Sequence, residues 1–408
     1  MGGDSHHLAI FLRSLVGGGG AERMMVTLAG ALYELGHRVD LVLGRAVGNF
    51  FDEIRPGVRV IDLGVRTILP ALPALLRHPS DGVHLLPAFL PPAPPRALGS
   101  IPGLARYLRR ERPESMLSAL NYSNLAAIWA RRLADVPTRL VVSERNTLSV
   151  RAARSSERSL RALPAMIRRF YPWADAVTAV SDGVADDLAR VSGIERSKIV
   201  TTSNPVVSPA LAEAAAQPLD HPWFRPGEPP VVLGVGKLRP QKDFATLIDA
   251  FARLRAKRPA RLVILGEGPE ESRLRVRARR LDVSPDVAFE GFVANPFAYM
   301  ARAAVFALSS AWEGLPSVLI QAMACGCPVV STDCPSGPRE ILQDGALGPL
   351  VPVGAADALA AALERLLDAP TDRERLRRRA EDFSVDRVAR RYLEVMLGPA
   401  REPRRKSG

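Results

Sequence analysis

Short apolar runs alternate with longer amphipathic stretches along most of this chain. Leu8–Leu12, Val39–Leu43 and Val231–Val235 are apolar runs of strand length, and each is followed by a glycine or polar loop. The stretches 21–35 and 244–256 have the length and spacing of helices. Continuous apolar strands are typical of sheets that helices cover on both faces, and repeated strand–helix steps indicate βαβ units. The pattern therefore predicts an α/β protein with parallel sheets.

The strand–helix rhythm occurs twice. It stops in the segment 206–230, which is rich in proline and alanine, and it restarts afterwards. We therefore expect a Rossmann-like N-terminal domain over 1–205, a linker over 206–230 and a second Rossmann-like domain over 231–384. For 385–408 we expect a helix that crosses back to the first domain, followed by a basic tail. Two doubly wound domains facing each other across a cleft suit a chain of 408 residues.

Composition narrows the class of partner. The net charge of +12 favours anionic partners such as phosphorylated substrates, acidic lipids or nucleic acid. Nucleic acid is disfavoured because aromatic residues are only 6% of the chain and do not interleave with basic ones. Between Arg151 and Arg169, arginines alternate with apolar residues. This segment is either a basic helix lying on an anionic membrane or a solvated helix face.

The three cysteines lie in one segment, at Cys325, Cys327 and Cys334. An odd number so placed argues against a disulfide framework and fits a reducing cytoplasm. Three core or loop thiols are the favoured interpretation over a metal site, because no histidine is near. There is no signal-peptide pattern and no apolar run long enough to span a bilayer. We expect a cytoplasmic protein, peripheral to the inner face of the membrane if the basic segment binds lipid.

The stretch 309–342 carries the strongest chemical signal. It indicates a strand end, a turn, a helix, a strand, another turn and a second helix. Pro316 suits a first helical turn, and Gly326 suits a left-handed cap. Helix N-termini that follow strand ends bind anions in open α/β sheets. Glu313, at the first turn, would repel phosphate, so the pattern predicts a ligand that is both a diphosphate and a polyol.

A glycine loop, Gly17–Gly20, separates the first strand from the first helix. Such a loop lets backbone N–H groups approach a phosphate or sugar closely. Glu22 stands where the dinucleotide fingerprint needs a small residue, which disfavours a nicotinamide dehydrogenase. Taken alone, the loop could also be no more than a tight turn.

Three segments together resemble the retaining glycosyltransferases of family 4, which have the two-domain GT-B architecture. They are Gly19–Arg23, Gly234–Lys242 and Glu313–Pro338. The resemblance implies transfer of a sugar from a nucleotide-sugar, with retention at the anomeric carbon. It places the donor in the C-terminal domain and the acceptor mostly on the N-terminal one. The sequence of 332–338 is most similar to that of bacterial enzymes of surface-polysaccharide or lipid-linked oligosaccharide synthesis. This similarity favours a UDP-linked donor.

The resemblance also implies roles for individual residues. Lys237 and Lys242 correspond to a cationic pair that holds the donor diphosphate, where fixed charges stabilise the leaving group. Glu313 corresponds to the first carboxylate of the family's Glu-x7-Glu pair and contacts the donor sugar. The other donor-binding positions are Gly19, Gly20, Gly236, Phe292, Val293, Gly314, Leu315 and Gln321. Gln321 replaces the second glutamate, whose carboxylate usually accepts hydrogen bonds from the ribose.

The acceptor side departs from the family pattern, because no histidine fills the usual mid-domain position. We hypothesise instead that Asn121, Glu144, Arg145 and Asn146 line the acceptor pocket. No Asp-x-Asp motif is present, so we expect neither a metal nor another cofactor. The expected acceptor is a glycan or a polyprenyl-diphosphate-linked sugar. Two alternatives stay open: another GT-B activity such as a nucleotide-sugar epimerase, and a nucleotide-sugar-binding protein with weak catalysis.

Overall fold

A computed structural model describes residues 5–16, 20–89, 95–153, 158–369 and 371–398. These residues form two compact units. The N-terminal unit comprises the described residues of Met1–Pro205 and Val385–Gly408, and the C-terminal unit is Val206–Ser384.

The N-terminal unit is built on a seven-stranded parallel sheet. Its strands are β1 (His7–Leu12), β2 (Arg38–Leu43), β3 (Arg59–Asp62), β4 (Ser115–Ala119), β5 (Arg139–Glu144), β6 (Ala176–Ala179) and β7 (Ile199–Thr201). They lie in the order β3-β2-β1-β4-β5-β6-β7. The helices are α1 (Gly20–Glu34), α2 (Leu72–Leu76), α3 (Pro79–Gly82), α4 (Ile101–Glu111), α5 (Asn121–Ala134), α6 (Leu148–Ala153), α7 (Arg158–Phe170) and α8 (Asp182–Ser192).

The C-terminal unit contains a six-stranded parallel sheet. Its strands are β8 (Val231–Val235), β9 (Arg261–Leu265), β10 (Val287–Gly291), β11 (Val305–Leu308), β12 (Val329–Thr332) and β13 (Leu350–Val351), in the order β10-β9-β8-β11-β12-β13. The helices are α9 (Pro209–Ala216), α10 (Phe244–Arg255), α11 (Glu271–Arg280), α12 (Pro296–Arg302), α13 (Ser317–Ala324), α14 (Pro338–Ile341), α15 (Ala356–Asp368) and α16 (Arg373–Ala380). Apolar residues of α10 and α15 pack with those of β8, β9 and β11 in one core.

Each sheet has one switch point, where the strand order reverses. In the N-terminal unit it lies between β1 and β4, and in the C-terminal unit it lies between β8 and β11. Ligands of open α/β sheets bind outside the carboxyl ends of the strands at such points. The two parallel sheets with their helices confirm the predicted α/β class.

Tertiary contacts decide to which unit the segment 206–230 and the last helix belong. The predicted linker, 206–230, is grouped with the C-terminal unit. The N–H groups of Val206 and Val207 both donate to the carbonyl of Phe383, at 2.9 and 3.0 Å, and α9 packs against α12. The last helix, α17 (Val385–Leu397), belongs to the N-terminal unit, where it packs against α1 and buries Tyr392.

The arginine-rich segment forms α6 and α7. Leu163, Met166 and Ile167 of α7 are buried in the N-terminal unit, so its apolar side packs on protein. Arg168 and Arg169 point outwards, and Arg169 pairs with Asp81 at 2.6 Å. Within the described ranges, no helix combines the length and apolar character that a bilayer crossing needs.

Candidate active site

The loop that follows β8, 236–242, carries both predicted lysines. The N–H of Leu238 donates to the carbonyl of Glu267 at 2.9 Å, and the Leu238 side chain is buried beneath the loop. The Ser309 hydroxyl, just after β11, donates to the carbonyl of Lys242 at 2.8 Å. The loop is therefore held from both sides by the ends of neighbouring strands. Lys237 lies half-buried near its start.

Two glycines of the neighbouring loop after β9 make this close packing possible. A Cβ on Gly266 would lie 2.0 Å from the carbonyl oxygen of Gly236. A Cβ on Gly268 would lie 2.4 Å from the carbonyl oxygen of Leu238. Because no side chain fits there, only glycine allows the lysine loop to lie against the end of β9.

Glu313 follows β11 and is the centre of the polar cluster. The residue is only 6% exposed. Lys242 Nζ donates to Glu313 Oε1 at 2.6 Å, and the Ser310 hydroxyl donates to the same oxygen at 2.6 Å. Gln241 Nε2 bonds the carbonyl of Trp312 at 3.0 Å. The structure thus joins Lys242 and Glu313 in a largely buried ion pair at the switch point of the sheet.

A second turn supports the backbone at Glu313. The Glu313 N–H donates to the carbonyl of Pro335 at 2.7 Å, and the Ser336 hydroxyl donates to the carbonyl of Gly314 at 3.0 Å. Gly337 closes this turn with a φ of +98°, and a Cβ there would lie 2.8 Å from the carbonyl oxygen of Gly314. The two turns therefore fix each other.

Of the two helices predicted to begin here, only one is longer than a single turn. Helix α13 begins at Ser317 and has eight residues, whereas α14 is a single turn of four. Gly314 and Leu315 are buried just before α13, so they lie beside its N-terminus. Gln321 is half-buried on the second turn of α13. The dipole of α13 adds partial positive charge on this side of Glu313.

Phe292 and Val293 lie further along the sheet edge. They follow β10, which is separated from β8 by β9, so they stand about 10 Å from the lysine loop by strand spacing. Phe292 is 77% exposed, and its backbone N–H donates to Glu267 Oε1 at 3.4 Å. The arrangement leaves the backbone at 292–293 at the rim of the site.

In the N-terminal unit the structure brings Asn121 and Glu144 together. Asn121 begins α5 after β4, and its Nδ2 donates to Glu144 Oε2 at 2.7 Å. Asn124 and the Tyr171 hydroxyl donate to Oε1 of the same carboxylate. Glu144 is 1% exposed. Burial, together with this carboxylate, raises the pKa of Tyr171 well above its ordinary value, so the phenol stays a donor.

The neighbours of Glu144 do not form one cluster with it. Arg145 donates to the Tyr392 hydroxyl at 2.8 Å and to Asn204 Oδ1, so it ties α17 to the sheet. Asn146 Oδ1 accepts the N–H of Thr147 at 2.9 Å. Gly20 is exposed at the start of α1, and the predicted Gly19 lies outside the described residues.

The three cysteines are free and buried. Burial raises the pKa of each thiol to about 12. Within the described parts of the chain, no three His, Cys, Asp or Glu side chains cluster closely enough to hold a metal ion. The cysteines are thus core residues.

Several residues that position the site are not among those predicted from the sequence. Ser309 and Ser310 were visible only as a strand end, although both are buried and bind the lysine loop or Glu313. Gln241 had a visible signal, since it lies inside the resembling segment next to Lys242. Asn124 and Tyr171 had none, because their relation to Glu144 depends on how α5 packs against the turn that follows α7.

Both halves of the chain match known protein families. Residues 18–208 match the family described as "Glycosyltransferase Family 4", and residues 218–383 match "Glycosyl transferases group 1". Together the matches span both units.

Individual relatives agree with this. The chain is 33% identical to the N-acetylgalactosamine-N,N'-diacetylbacillosaminyl-diphospho-undecaprenol 4-alpha-N-acetylgalactosaminyltransferase of Campylobacter jejuni, over 68% of this chain and 75% of that protein. It is 29% identical to the lipopolysaccharide core biosynthesis glycosyltransferase LpsE of Rhizobium meliloti, over 71% and 77%. Anabaena HepE, solved in complex with UDP and glucose, superposes with a TM-score of 0.71 at 20% identity, over 96% and 99%. This last likeness confirms the predicted GT-B fold class.

Proposed function

The chain belongs to glycosyltransferase family 4, and from this premise we propose that it transfers a sugar from a UDP-linked donor, with retention, during cell-surface polysaccharide synthesis. The proposed acceptor is a glycan or a polyprenyl-diphosphate-linked sugar. The buried pair of Glu313 and Lys242 at the switch point is the observation that carries this proposal. The names of the relatives support it: one acts on a diphospho-undecaprenol-linked sugar, and HepE was solved with UDP.

The proposed chemistry follows from the charges around Glu313. Departure of the nucleoside diphosphate develops negative charge, which Lys237, Lys242 and the N-terminus of α13 stabilise without reorganisation. Glu313 accepts hydrogen bonds from hydroxyls of the donor sugar. Lys242 neutralises the Glu313 carboxylate, which lowers the repulsion between that carboxylate and a diphosphate bound beside it. We propose that no metal takes part, because these cations supply the charge.

We assign the acceptor side to the N-terminal unit. Asn121 is the proposed contact, and the buried Glu144 is a positioning residue because it fixes the Asn121 side chain at 2.7 Å. Asn146 is half-buried and stays a predicted acceptor contact. We assign Arg145 to the packing of α17 and not to the acceptor pocket, because its guanidinium donates to Tyr392 and Asn204.

We also propose that the enzyme binds an anionic membrane surface peripherally. The support is the net charge of +12 and the outward arginines of α7. Because the apolar side of α7 is buried in the protein, such binding would be electrostatic, without insertion of that helix.

A nucleotide-sugar hydrolysis screen tests the main proposal, because transferases slowly hydrolyse their own donor. We expect release of UDP from one or a few UDP-sugars, detected by mass spectrometry, and faster release once a fitting acceptor is added. Conversion to an epimeric sugar without an acceptor would support the epimerase alternative. UDP binding with no turnover of any donor would support the binding-protein alternative.

A further inference from the structure

A second concave site lies on the C-terminal unit, outside the cluster around Glu313. It is a groove of about 570 Å³ between the segment 239–245 and helix α11. Neither lysine of the proposed donor site lines it, and Glu313 does not line it. The groove is therefore a separate feature, although Arg239 belongs to the same loop as the lysines.

Four arginines line this groove. Arg273, Arg277 and Arg280 are spaced by four and three residues, so they project from one face of α11. Arg239 enters from the opposite wall. The span from the first to the last arginine of the helix is about 10 Å, since a helix rises by 1.5 Å per residue.

Two carboxylates near the groove make different contacts, and only Asp249 neutralises an arginine. Asp243 caps α10, with its carboxylate accepting from the N–H of Thr246 at 3.3 Å and from the Thr246 hydroxyl at 2.6 Å. Asp249 binds Arg277 through both oxygens, which neutralises that guanidinium.

Of the remaining arginines, Arg273 makes one long ion pair with Glu270, at 3.4 Å, and its side chain is 81% exposed. Arg239 and Arg280 have no ion-pair partner among the residues that the structure describes. The carboxylates of Asp243 and Glu270 also line the groove, so the four arginines leave it with a net positive charge.

We propose that this groove binds a phosphate-bearing anion, held by Arg239, Arg273 and Arg280. Guanidinium groups bind phosphate oxygens in pairs and are the side chains best matched to this ligand. The arginine row is about 10 Å long, so it can contact a diphosphate or more than one phosphodiester headgroup at a time. This inference goes beyond the proposed transfer reaction and does not depend on it.

Calorimetry with the full-length protein tests the site, with inorganic pyrophosphate as the probe and UDP present at saturation. The variant Arg239→Gln/Arg280→Gln removes the two arginines that have no ion-pair partner among the described residues. The matched control is Arg375→Gln/Arg378→Gln, which changes the net charge equally at two exposed arginines of α16. We expect the groove variant to bind pyrophosphate about tenfold or more weakly, as lost charge-assisted hydrogen bonds predict, and the control to bind like the unmodified protein.

A parallel co-sedimentation arm identifies the source of the phosphate. It uses vesicles of phosphatidylglycerol, with phosphatidylcholine vesicles for comparison. A loss confined to the groove variant in the pyrophosphate arm supports a free anion, and the same loss confined to the phosphatidylglycerol arm supports a lipid headgroup. If neither probe distinguishes the groove variant from the control, the proposal is wrong. Circular dichroism and the melting temperature establish that both variants are folded.

Discussion

At the scale of single residues, the ion pair of Lys242 with Glu313 dominates the candidate site. Their side chains are 18% and 8% exposed, so both charges are largely removed from water. Removing one partner of a buried pair leaves an uncompensated charge, which is more costly than the pair is favourable. The pair is thus a poor source of stability, and its retention at a strand end fits a functional role.

Changing Glu313→Gln tests that role. The amide keeps the shape of the side chain but removes the charge that holds Lys242 and the proposed hydrogen bonds to the donor sugar. We expect kcat to fall about 10²–10³-fold, the range for loss of one preorganised polar contact, while UDP still binds in calorimetry.

The control for this variant is Glu228→Gln, at an exposed loop position of the same unit, which should leave kcat unchanged. Turnover by Glu313→Gln at the rate of the unmodified enzyme would contradict the assignment of Glu313. Loss of turnover with UDP binding intact would in turn exclude the binding-protein alternative.

A substitution at Gln321 is predicted to improve donor binding. Restoring a carboxylate with Gln321→Glu should strengthen hydrogen bonds from the ribose hydroxyls, because bonds to a charged acceptor are stronger than those to an amide. We expect the KM for the donor to fall about fivefold with kcat little changed. An unchanged or higher KM, measured with saturating acceptor, would show that Gln321 does not contact the ribose.

At the scale of elements, the loops that end β8 and β11 and the turn before α14 form one interlocked unit. The Glu313 N–H and the Ser336 hydroxyl connect the last two, and Ser309 connects the first two. A displacement of one loop is therefore transmitted to Glu313.

The variant Gly337→Ala tests this interlocking. Its Cβ would lie 2.8 Å from the carbonyl oxygen of Gly314, and its φ of +98° disfavours any side chain. We expect a loss of stability above about 1 kcal/mol in urea unfolding, together with a large loss of donor hydrolysis.

Gly227→Ala is the matched control for the turn, because Gly227 has a φ of +90° with no atom within 4 Å of its Cβ position. It should show backbone strain alone, with activity retained. Equal effects of both variants on hydrolysis would mean that the contact with Gly314 is unimportant.

A buried polar network joins β1, β2, β3 and α4 in the N-terminal unit. Burial raises the pKa of Asp40, but hydrogen bonds from His7, Arg59 and Tyr107 outweigh that effect and hold the pKa well below its ordinary value. The Asp40 carboxylate is completely buried, and the Tyr107 hydroxyl donates to it at 2.6 Å.

This network predicts a pH dependence of folding. Because the folded pKa of Asp40 lies below the unfolded one, its contribution to stability is complete above the unfolded pKa. It is lost as the pH falls from about 4 through the folded pKa, by about 1.4 kcal/mol for each unit of depression. Urea unfolding at a series of pH values measures this loss.

The comparison for the pH series is Asp40→Asn. This variant should be less stable at neutral pH and should lose less stability on acidification. A parallel decline of both proteins below pH 4 would contradict the assignment.

At the scale of the whole molecule, the charge of +12 falls in the N-terminal unit, because 206–384 contains 22 basic and 22 acidic residues. Many arginines are already paired with carboxylates, as Arg169 is with Asp81. The excess charge should act as a field on anionic surfaces more than through single contacts.

We expect the protein to bind phosphatidylglycerol vesicles in a manner that weakens steeply between low salt and about 0.5 M salt, as screening requires. Co-sedimentation measures the bound fraction, with phosphatidylcholine vesicles as the control. Binding that is indifferent to both salt and lipid charge would contradict the peripheral-membrane proposal.

Much of the fold could be predicted because its signals lie in residues that are contiguous in the chain. The apolar runs of β1, β2 and β8 are properties of neighbouring positions, and so is the glycine that ends α13. The edge strand β3 was harder to foresee, since its residues are mostly exposed and lack a continuous apolar run. The segment 206–230 resembled a linker because α9 is short and its attachment to the C-terminal unit depends on distant partners.

The candidate site, too, could be predicted only in part from the sequence. Local pattern was sufficient to select Glu313 and to predict a diphosphate–polyol ligand, because a carboxylate and a helix N-terminus after a strand end are visible in sequence. The two lysines were identified only through the resemblance to family 4. The ion pair of Lys242 with Glu313 joins residues 71 positions apart. It exists because β8 and β11 are neighbours in the sheet although two strands separate them in the chain. Strand order is a property of the folded core, and only the tertiary structure decides it.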